Sequence, residues 1–358
     1  MEQTSSFSCT YTPNVAELLI QLNGSLAMTS HQAGKLIFIS PDKDAKLIQA
    51  SLDLERPMGL VIDGKRMTIT TKHDVGVWTD APGLTTNYPS QPNTYDALYM
   101  PRATYHTGAM DLHDMHWGAE GLYAVNTRFS CISLIDNQYS FTPIWKPSFV
   151  TGYSPTDRCH LNGMAMQNDR PKYTTALGTT NEGKGWRPNL LKGGVIIDVE
   201  SSEMVATNLP VPHSPRLYDG ELYALLSATG QVVHIDVNTG KHEVIVQLPG
   251  FLRGMTKWGE YLFVGLSKLR KNASTFRDLP VAQNPLHCGV EIIHLPTGVS
   301  VGNIRFPSVV EELYDVQALE GKLRPHILSQ TSPERYLALN TPNYDVWMPP
   351  KTEGEKGE

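Results

Sequence analysis

The chain has 358 residues, of which 18% are charged, and a formal net charge of −6. This mildly acidic balance gives no support for general nucleic-acid or membrane binding. No apolar run approaches the ~20 residues of a membrane span. The first residues, MEQTSSFSCTYTP, do not resemble a signal peptide, and the four cysteines form no CxxC pair. We therefore expect neither a disulfide framework nor a structural zinc site, and we expect a cytoplasmic location.

The first predicted element is a short helix over NVAELLIQLNG, and helical periodicity is nearly absent afterwards. We expect an N-terminal tail over residues 1–14 and one folded domain over 15–335. A C-terminal tail over 336–358 is expected to be partly disordered, because its end, KTEGEKGE, is polar and contains glycine.

From Ser25 onward, short apolar runs alternate with turn residues. KLIFISP and AKLIQASL flank the turn DKD, and QVVHIDV and KHEVIVQL flank NTG, which predicts β-hairpins. A strand, a turn and a second strand precede most hairpins, as in LNGMAMQNDRPKYTTALG. These four-stranded units begin about fifty residues apart, and such a repeat is typical of an all-β fold, the β-propeller.

The number of blades depends on both chain ends. The unit after His73, GVWTDAPGL, is degraded. LYDVQALEG supplies a first strand without a hairpin, whereas SLAMTSHQAGKLIFISP supplies later strands without a first strand. We therefore expect the N- and C-terminal strands to close one blade together, giving six blades. Seven remain open if GKLRPHILS forms a further strand.

The segment LHDMHWG is predicted to be an innermost strand. On a helix, His113 and His116 would share a face and could hold one ion, but on a strand they point to opposite sides. His113 must then find its partners on other blades.

One polar position recurs in the inner strands. When the strands are aligned on the Gly or Leu that follows, His113 falls in one column with Asn162, His213, Arg253, Tyr314 and, in the degraded unit, Met58. Inner strands begin at one mouth of the propeller channel, so we expect these side chains to converge. A ring of polar side chains that merely fills the channel with water remains an alternative.

The second strands end at the same mouth. Their last residues are Ser30-His31, Lys72-His73, Thr127-Arg128, Thr179-Thr180, Thr229 and Ser267-Lys268. We expect a locally basic cleft that concentrates anions. Arg253, Arg128, Lys268 and Tyr314 are the residues predicted to bind the substrate anion.

The histidines also suit a divalent metal ion. His113, His213 and Asn162 are the predicted ligands, and His106 and His160 are candidates for additional ones. Iron, zinc, manganese and calcium all remain open. A bound ion would activate a water molecule. The candidate catalytic residues are His113, Asp114 and Asp315, with each carboxylate acting as a base or orienting a histidine.

The sequence thus predicts a metal-dependent enzyme that acts on a small anionic molecule at the channel mouth, with hydrolysis slightly ahead of oxidation. Without a metal, His113 and His213 would serve as acid and base. The alternative is a non-catalytic propeller that binds an acidic small molecule or a protein partner. Nucleic-acid and membrane partners are not expected.

Two resemblances bear on these expectations. DRCHLNGMAM, HSPR, LPGFLRGM and VGLSK resemble an uncharacterised family of conserved bacterial propeller-like proteins, which implies the fold but no activity. LNGMAMQNDRPKY more distantly resembles the six-bladed propellers of the gluconolactonase and regucalcin type. That resemblance implies lactone hydrolysis at a divalent metal, with Asn162 as one ligand, although His213 stands where Asn or Asp is expected and no N-terminal Glu ligand is visible.

Overall fold

Six antiparallel sheets are arranged around a central channel, as the repeats predict. The structure is a computed structural model and describes residues 8–269 and 275–349. The inner strands of blades 1 to 6 are Asp315–Glu320, Leu60–Asp63, Leu112–Gly118, Leu161–Gln167, Pro212–Tyr218 and Phe251–Trp258. The second strands are Gly24–Ser30, Arg66–Thr70, Gly121–Asn126, Arg170–Ala176, Glu221–Leu226 and Tyr261–Ser267. The third strands are Lys35–Pro41, Asp74–Asp80, Cys131–Ile135, Gly194–Asp198, Gln231–Ile235 and Gly289–His294. The outer strands are Leu47–Asp53, Ala97–His106, Thr142–Trp145, Met204–Leu209, His242–Gln247 and Val299–Arg305.

The two chain ends close blade 1, which confirms the predicted closure. The inner strand Asp315–Glu320 pairs antiparallel with Gly24–Ser30, from Asp315 opposite Thr29 to Glu320 opposite Gly24. GKLRPHILS does contain a strand, Pro325–Ile327, but this strand adds in parallel to the outer strand of blade 2. It therefore extends an existing sheet, and the described residues form six blades.

Blade 2 is complete rather than degraded. Its third strand, Asp74–Asp80, is followed by a connection that contains the 3₁₀ helix Pro82–Leu84. The outer strand, Ala97–His106, then pairs with the third strand along its length. The long connection separates two strands that the other blades place close together in sequence, and this separation hides the hairpin from pattern analysis.

The second and third strands are buried on both faces, because each sheet packs between two neighbouring sheets. Gly24–Ser30 is buried at every position, and Leu36, Ile37 and Ile39 of the next strand have no exposed surface. In the sequence, such strands appear as continuous apolar runs rather than as an alternation of apolar and polar residues. Each fully buried Leu or Ile contributes about 1.5–3 kcal/mol to folding.

Side-chain hydroxyls at the ends of second strands form hydrogen bonds between neighbouring blades. In five blades a Thr or Ser hydroxyl donates to a backbone carbonyl at the start of the following inner strand: Thr29 to Met58, Thr70 to Leu112, Thr127 to Leu161, Ser227 to Leu252, and Ser267 to Leu313. In blade 4 the amide of Asn162 takes this role, donating to the Pro212 carbonyl at 3.0 Å. These bonds are each worth about 1 kcal/mol and hold the starts of the inner strands in place.

The remaining elements lie outside the blades. The predicted helix is Asn14–Gln21, and it buries Val15, Ala16, Leu18 and Leu19. Thr10–Tyr11 adds a short strand to Val299–Arg305, and Ala338–Asn340 pairs with Asp345–Trp347. The other 3₁₀ helices are Arg187–Asn189, Pro280–Gln283 and Pro333–Tyr336. The end of the chain, predicted to be disordered, lies outside the described residues from 350 onward. None of the helices within residues 8–269 and 275–349 has the length and apolarity that a membrane crossing requires.

Candidate functional site

The starts of the inner strands surround a cavity of about 290 Å³ at one mouth of the channel, and a narrower pocket continues beneath it. The structure brings the six aligned side chains together around these two spaces: Met58, His113, Asn162, His213, Arg253 and Tyr314. They come from six different blades and meet only because the sheets are arranged in a ring.

The six positions alternate around the ring. Odd-numbered blades carry an aromatic ring followed by a polar residue: Tyr314-Asp315, His113-Asp114 and His213-Ser214. Even-numbered blades carry a non-aromatic residue followed by glycine: Met58-Gly59, Asn162-Gly163 and Arg253-Gly254. Each polar residue accepts a backbone N–H of the next blade: Asp315 from Leu60, Asp114 from Met164, and Ser214 from Gly254. A β-carbon at Gly254 would approach the Asp315 α-carbon to 2.6 Å, so the glycine permits this close contact.

The hydrogen bonds of His213 fix which ring nitrogen carries the proton. Its Nδ1 lies 2.9 Å from the Ser227 hydroxyl and 3.3 Å from the Val211 carbonyl. The Ser227 hydroxyl donates its only hydrogen to the Leu252 carbonyl at 2.7 Å, and a carbonyl can only accept. Nδ1 must therefore be the donor, and Nε2 carries a lone pair.

His113 repeats this arrangement two blades away. Its Nδ1 lies 2.7 Å from the Thr127 hydroxyl and 2.9 Å from the Asp111 carbonyl. Thr127 donates to the Leu161 carbonyl, so again Nδ1 is the donor and Nε2 the acceptor. The site thus contains two imidazoles with the same tautomer.

Both imidazoles are neutral at pH 7. Burial lowers the pKa of His113 and of His213 well below 6.5, and the positive charge of Arg253 adds to the effect on each. Burial likewise raises the pKa of the Tyr314 hydroxyl, which stays protonated. The cavity at the mouth consequently offers the His113 imidazole, a hydroxyl donor and a guanidinium, and the narrower pocket beneath it adds the His213 imidazole.

Three of the side chains each have one buried atom without a hydrogen-bond partner among the described residues. The buried atoms are His213 Nε2, Arg253 Nε and the Tyr314 hydroxyl oxygen. Each buried polar atom without a partner costs about 1–3 kcal/mol. Three such atoms from blades 5, 6 and 1 facing one space indicate a site that a ligand or water fills.

In the next layer down, the side chains of Asp114, Arg216 and Asp315 all have hydrogen-bond partners. Arg216 donates to the two carboxylate oxygens of Asp114 at 2.7 and 3.3 Å. Asp114 also accepts the backbone N–H groups of Met115 and Met164. Asp315 accepts those of Leu60 and Val316. Burial raises the pKa of Asp315 to about 7 although Arg216 opposes the shift. Through the bonds to Leu60 and Met164, the two aspartates connect neighbouring blades.

The structure does not bring all predicted site residues to the mouth. His106 ends the outer strand of blade 2, where its ring is 84% exposed and Nδ1 pairs with Asp74 at 2.7 Å. Arg128 pairs with Asp111 at 3.1 Å and does not line the cavity. Lys268 and His160 do line it, and Asp157 holds His160 through Nδ1 at 3.0 Å. Asn162 lies in the channel, but its amide binds Pro212 and Thr175.

The expectation of a simply basic mouth is wrong. The charged side chains that line the cavity are the cations Arg187, Arg253 and Lys268 and the carboxylates Asp111, Asp157 and Glu312. Asp111 pairs with Arg128, Asp157 pairs with His160, and Glu312 forms a long ion pair with Arg253. The Arg253 guanidinium stays 4.0 Å from Glu312, beyond hydrogen-bond distance. Arg253 Nε is in addition buried without a hydrogen-bond partner among the described residues, which makes Arg253 a candidate to bind an anion.

The same donors fit a divalent metal ion poorly. The Nε2 atoms of His113 and His213 could each give a lone pair, but Asn162 is committed to its own hydrogen bonds. In the described part of the chain, no three His, Cys, Asp or Glu side chains form a group suited to an ion. Tetrahedral sites usually have at least three protein ligands, and the guanidinium beside both histidines repels a cation.

Sequence analysis did not identify three residues of this region. Arg216 takes a strand position that holds Val61, Ala165 and Thr256 in other blades, so its charge was a detectable signal. Trp186 and Phe276 line the cavity from the long connections between second and third strands of blades 4 and 6. Those connections follow no repeat, and the alignment of blades could not reveal them.

Comparisons with known proteins give one family match, and the structural match with a TM-score of 0.52 supports the fold. A family model described as "Domain of unknown function (DUF4915)" matches residues 13–328. No curated protein sequence matches the chain. A solved structure of a nidogen/laminin complex is similar with a TM-score of 0.52 and 12% identity, over 83% of this chain and 98% of that one. A virginiamycin B lyase from Staphylococcus aureus gives a TM-score of 0.40 and 12% identity, over 84% and 99%.

Proposed function

The chain belongs to the DUF4915 family, whose description assigns no activity, and from its geometry we propose that it is an enzyme that acts on a small anionic molecule at the channel mouth. Arg253 binds the anion, and His113 and His213 accept protons. The observation that carries the proposal is the convergence of unpaired buried atoms from His213, Arg253 and Tyr314.

An anion satisfies two of these atoms at once. Arg253 Nε and the Tyr314 hydroxyl are both donors, and the guanidinium carbon lies 4.8 Å from the centre of the Tyr314 ring. An oxyanion between them would accept from both groups where little water is present to compete. Hydrogen bonds to charged groups are the strong ones in such surroundings.

Binding of the anion prepares the proton acceptors. Burial and then the charge of Arg253 lower the pKa of both histidines. An anion beside the guanidinium offsets that charge and raises each imidazole pKa toward the working pH, where a general base is most effective. A water molecule held at either Nε2 atom would then be the nucleophile, so hydrolysis remains the reaction class that we propose ahead of oxidation.

The anion site is tested by calorimetric titration with acetate and with phosphate. We expect Arg253→Gln to weaken the tighter-binding anion by about tenfold or more, because it removes a charged hydrogen bond. Arg66→Gln is the matched control, since Arg66 lies over Trp117 in blades 2 and 3 and does not line the cavity. Equal affinities for wild type and Arg253→Gln would contradict the proposal.

Catalysis is tested separately with monomethyl succinate, a carboxylate that carries an ester. We expect His213→Gln to abolish hydrolysis while anion binding persists. Anion binding without turnover of any small ester or lactone would favour the non-catalytic binding propeller instead. Elemental analysis of the purified protein tests the metal expectation: a stoichiometric ion that His213→Gln loses would show that the imidazoles bind a metal.

A further inference from the structure

A closed collar of aromatic rings and one guanidinium surrounds the cavity at the mouth. Seven side chains form it: Tyr314, His113, His160, Trp186, Phe276, Phe251 and Arg253. Successive ring centres from Tyr314 to Phe251 lie 5.5, 5.0, 4.4, 6.3 and 5.5 Å apart. The guanidinium carbon of Arg253 closes the collar, at 5.4 Å from the Phe251 ring and 4.8 Å from the Tyr314 ring.

The collar has two chemically different sides. Trp186, Phe251 and Phe276 form an apolar side, and Trp186 and Phe251 are almost completely buried. Trp186 is held in place, since its indole N–H donates to Asp157 at 3.1 Å. Tyr314, Arg253 and His113 form the polar side that the proposed function assigns to the anion.

We infer that the ligand is an anion attached to a flat aromatic ring, such as an aryl carboxylate. This inference rests on the proposed function, because the acid group of the ligand takes the anion site at Arg253. The ring then lies against Trp186 and Phe276, whose own planes are inclined by 25° to each other. A cavity of about 290 Å³ accommodates a ring with one or two substituents.

The guanidinium groups at the collar disfavour a quaternary ammonium ligand, which is the other class that aromatic side chains commonly bind. Aromatic rings attract quaternary ammonium and methyl-lysine groups through the negative faces of the rings. Here Arg253 already occupies two of those faces, and the Arg187 guanidinium carbon lies 5.4 Å from the centre of the Trp186 ring. A cationic ligand would find these ring faces held by like charges, whereas the acid group of an aryl anion meets the Arg253 guanidinium.

Calorimetric titration with benzoate, cyclohexanecarboxylate and acetate tests the inference. We expect benzoate to bind the wild type about tenfold more tightly than acetate, because the ring buries apolar area. We expect it to bind about threefold more tightly than cyclohexanecarboxylate, because only a flat ring stacks. Phe276→Leu should reduce the benzoate-to-acetate ratio about threefold. Phe141→Leu, which changes a Phe129 contact away from the cavity, should leave the ratio unchanged.

The outcomes separate this inference from the proposed function. If Arg253→Gln weakens both acetate and benzoate but benzoate has no advantage over cyclohexanecarboxylate, the anion site stands and the aromatic ligand is wrong. An unchanged benzoate-to-acetate ratio in Phe276→Leu overturns the inference in the same way. If Arg253→Gln affects neither anion, the proposed function itself fails.

Discussion

Two layers of the channel differ in how their polar groups are satisfied. The lower layer follows the upper one along the same strands, by one residue at Asp114 and Asp315 and by three residues at Arg216. In the lower layer, Asp114 and Arg216 bind each other, and Asp114 also accepts two backbone N–H groups. In the upper layer, His213, Arg253 and Tyr314 each leave a buried atom without a partner. Burial is similar in both layers, so burial alone does not identify a site. The difference supports our proposal that the upper layer binds a ligand, and we propose that the lower layer stabilises the ring of blades.

The difference arises from the direction in which each side chain reaches. The polar residues of the lower layer reach sideways to the next blade, where glycine leaves the backbone accessible. The two histidines of the upper layer use only Nδ1 within the protein. Their Nε2 atoms therefore remain available to a ligand.

Removal of the cation of the lower layer should have the largest effect on stability. Arg216→Met leaves the buried carboxylates of Asp114 and Asp315 without their cation. We expect a loss of about 3–5 kcal/mol in the free energy of unfolding, measured by urea denaturation. Arg170→Met is the control, because Arg170 and Glu120 form an exposed ion pair that should be worth at most ~1 kcal/mol. Similar losses in the two variants would contradict a structural role for the lower layer.

A smaller effect is expected at Asp315, and it should depend on pH. Burial raises the pKa of its carboxyl group to about 7, from 3.8 as the ordinary value. Between these values the unfolded chain has lost the proton and the folded protein retains it, so stability falls as pH rises through this window and is constant above it. Asp315→Asn removes this loss and can still accept the Leu60 N–H through its amide oxygen, whereas its amide nitrogen cannot accept the Val316 N–H.

We therefore expect Asp315→Asn to be close to wild type in stability near pH 4. It should be more stable by about 1–2 kcal/mol at pH 8, less than the full shift implies, because Asn also gives up the attraction to Arg216. Urea denaturation at both pH values measures this. A variant that is less stable than wild type at pH 8 would show that Arg216 holds Asp315 as a favourable carboxylate.

The fold could be predicted because its information is local and repeated. Apolar runs around Asn, Asp or Gly turns identify hairpins. The segment LYDVQALEG has the pattern of an inner strand but no hairpin after it, which indicates that its partner strands come from the other end of the chain. The convergence of Met58, His113, Asn162, His213, Arg253 and Tyr314 also followed, since equivalent positions in a closed ring must meet.

The rest of the site depends on contacts that no repeat encodes. Trp186 and Phe276 reach the cavity from connections of irregular length. His106 was placed at the mouth because the outer strand of blade 2, Ala97–His106, was not recognised. Likewise, the spacing of these residues in the sequence does not determine that Arg128 pairs with Asp111. The alternation of aromatic and glycine positions was present in the aligned strands, and it is the signal that would have revealed the two layers.

The smallest effect should come from the hydroxyls that link the two histidines to their neighbouring blades. Ser227→Ala removes the hydroxyl that accepts from His213 Nδ1 and leaves the Val211 carbonyl at 3.3 Å as the remaining partner. Thr127→Val makes the equivalent change at His113, whose Asp111 carbonyl is closer, at 2.9 Å. Each variant loses one inter-blade hydrogen bond, so we expect both to lose about 1 kcal/mol of stability.

The tautomers should respond unequally although the stability losses match. We expect His213 in Ser227→Ala to populate the Nε2–H form detectably, because its remaining Nδ1 partner is distant. We expect His113 in Thr127→Val to keep the Nδ1–H form. Two-bond nitrogen–hydrogen NMR spectra of the imidazole rings distinguish the two forms. If neither tautomer changes, the backbone carbonyls alone fix both rings. If both change equally, the shorter Asp111 contact confers no advantage, and the hydroxyls, not the carbonyls, keep the two Nε2 lone pairs available to a ligand.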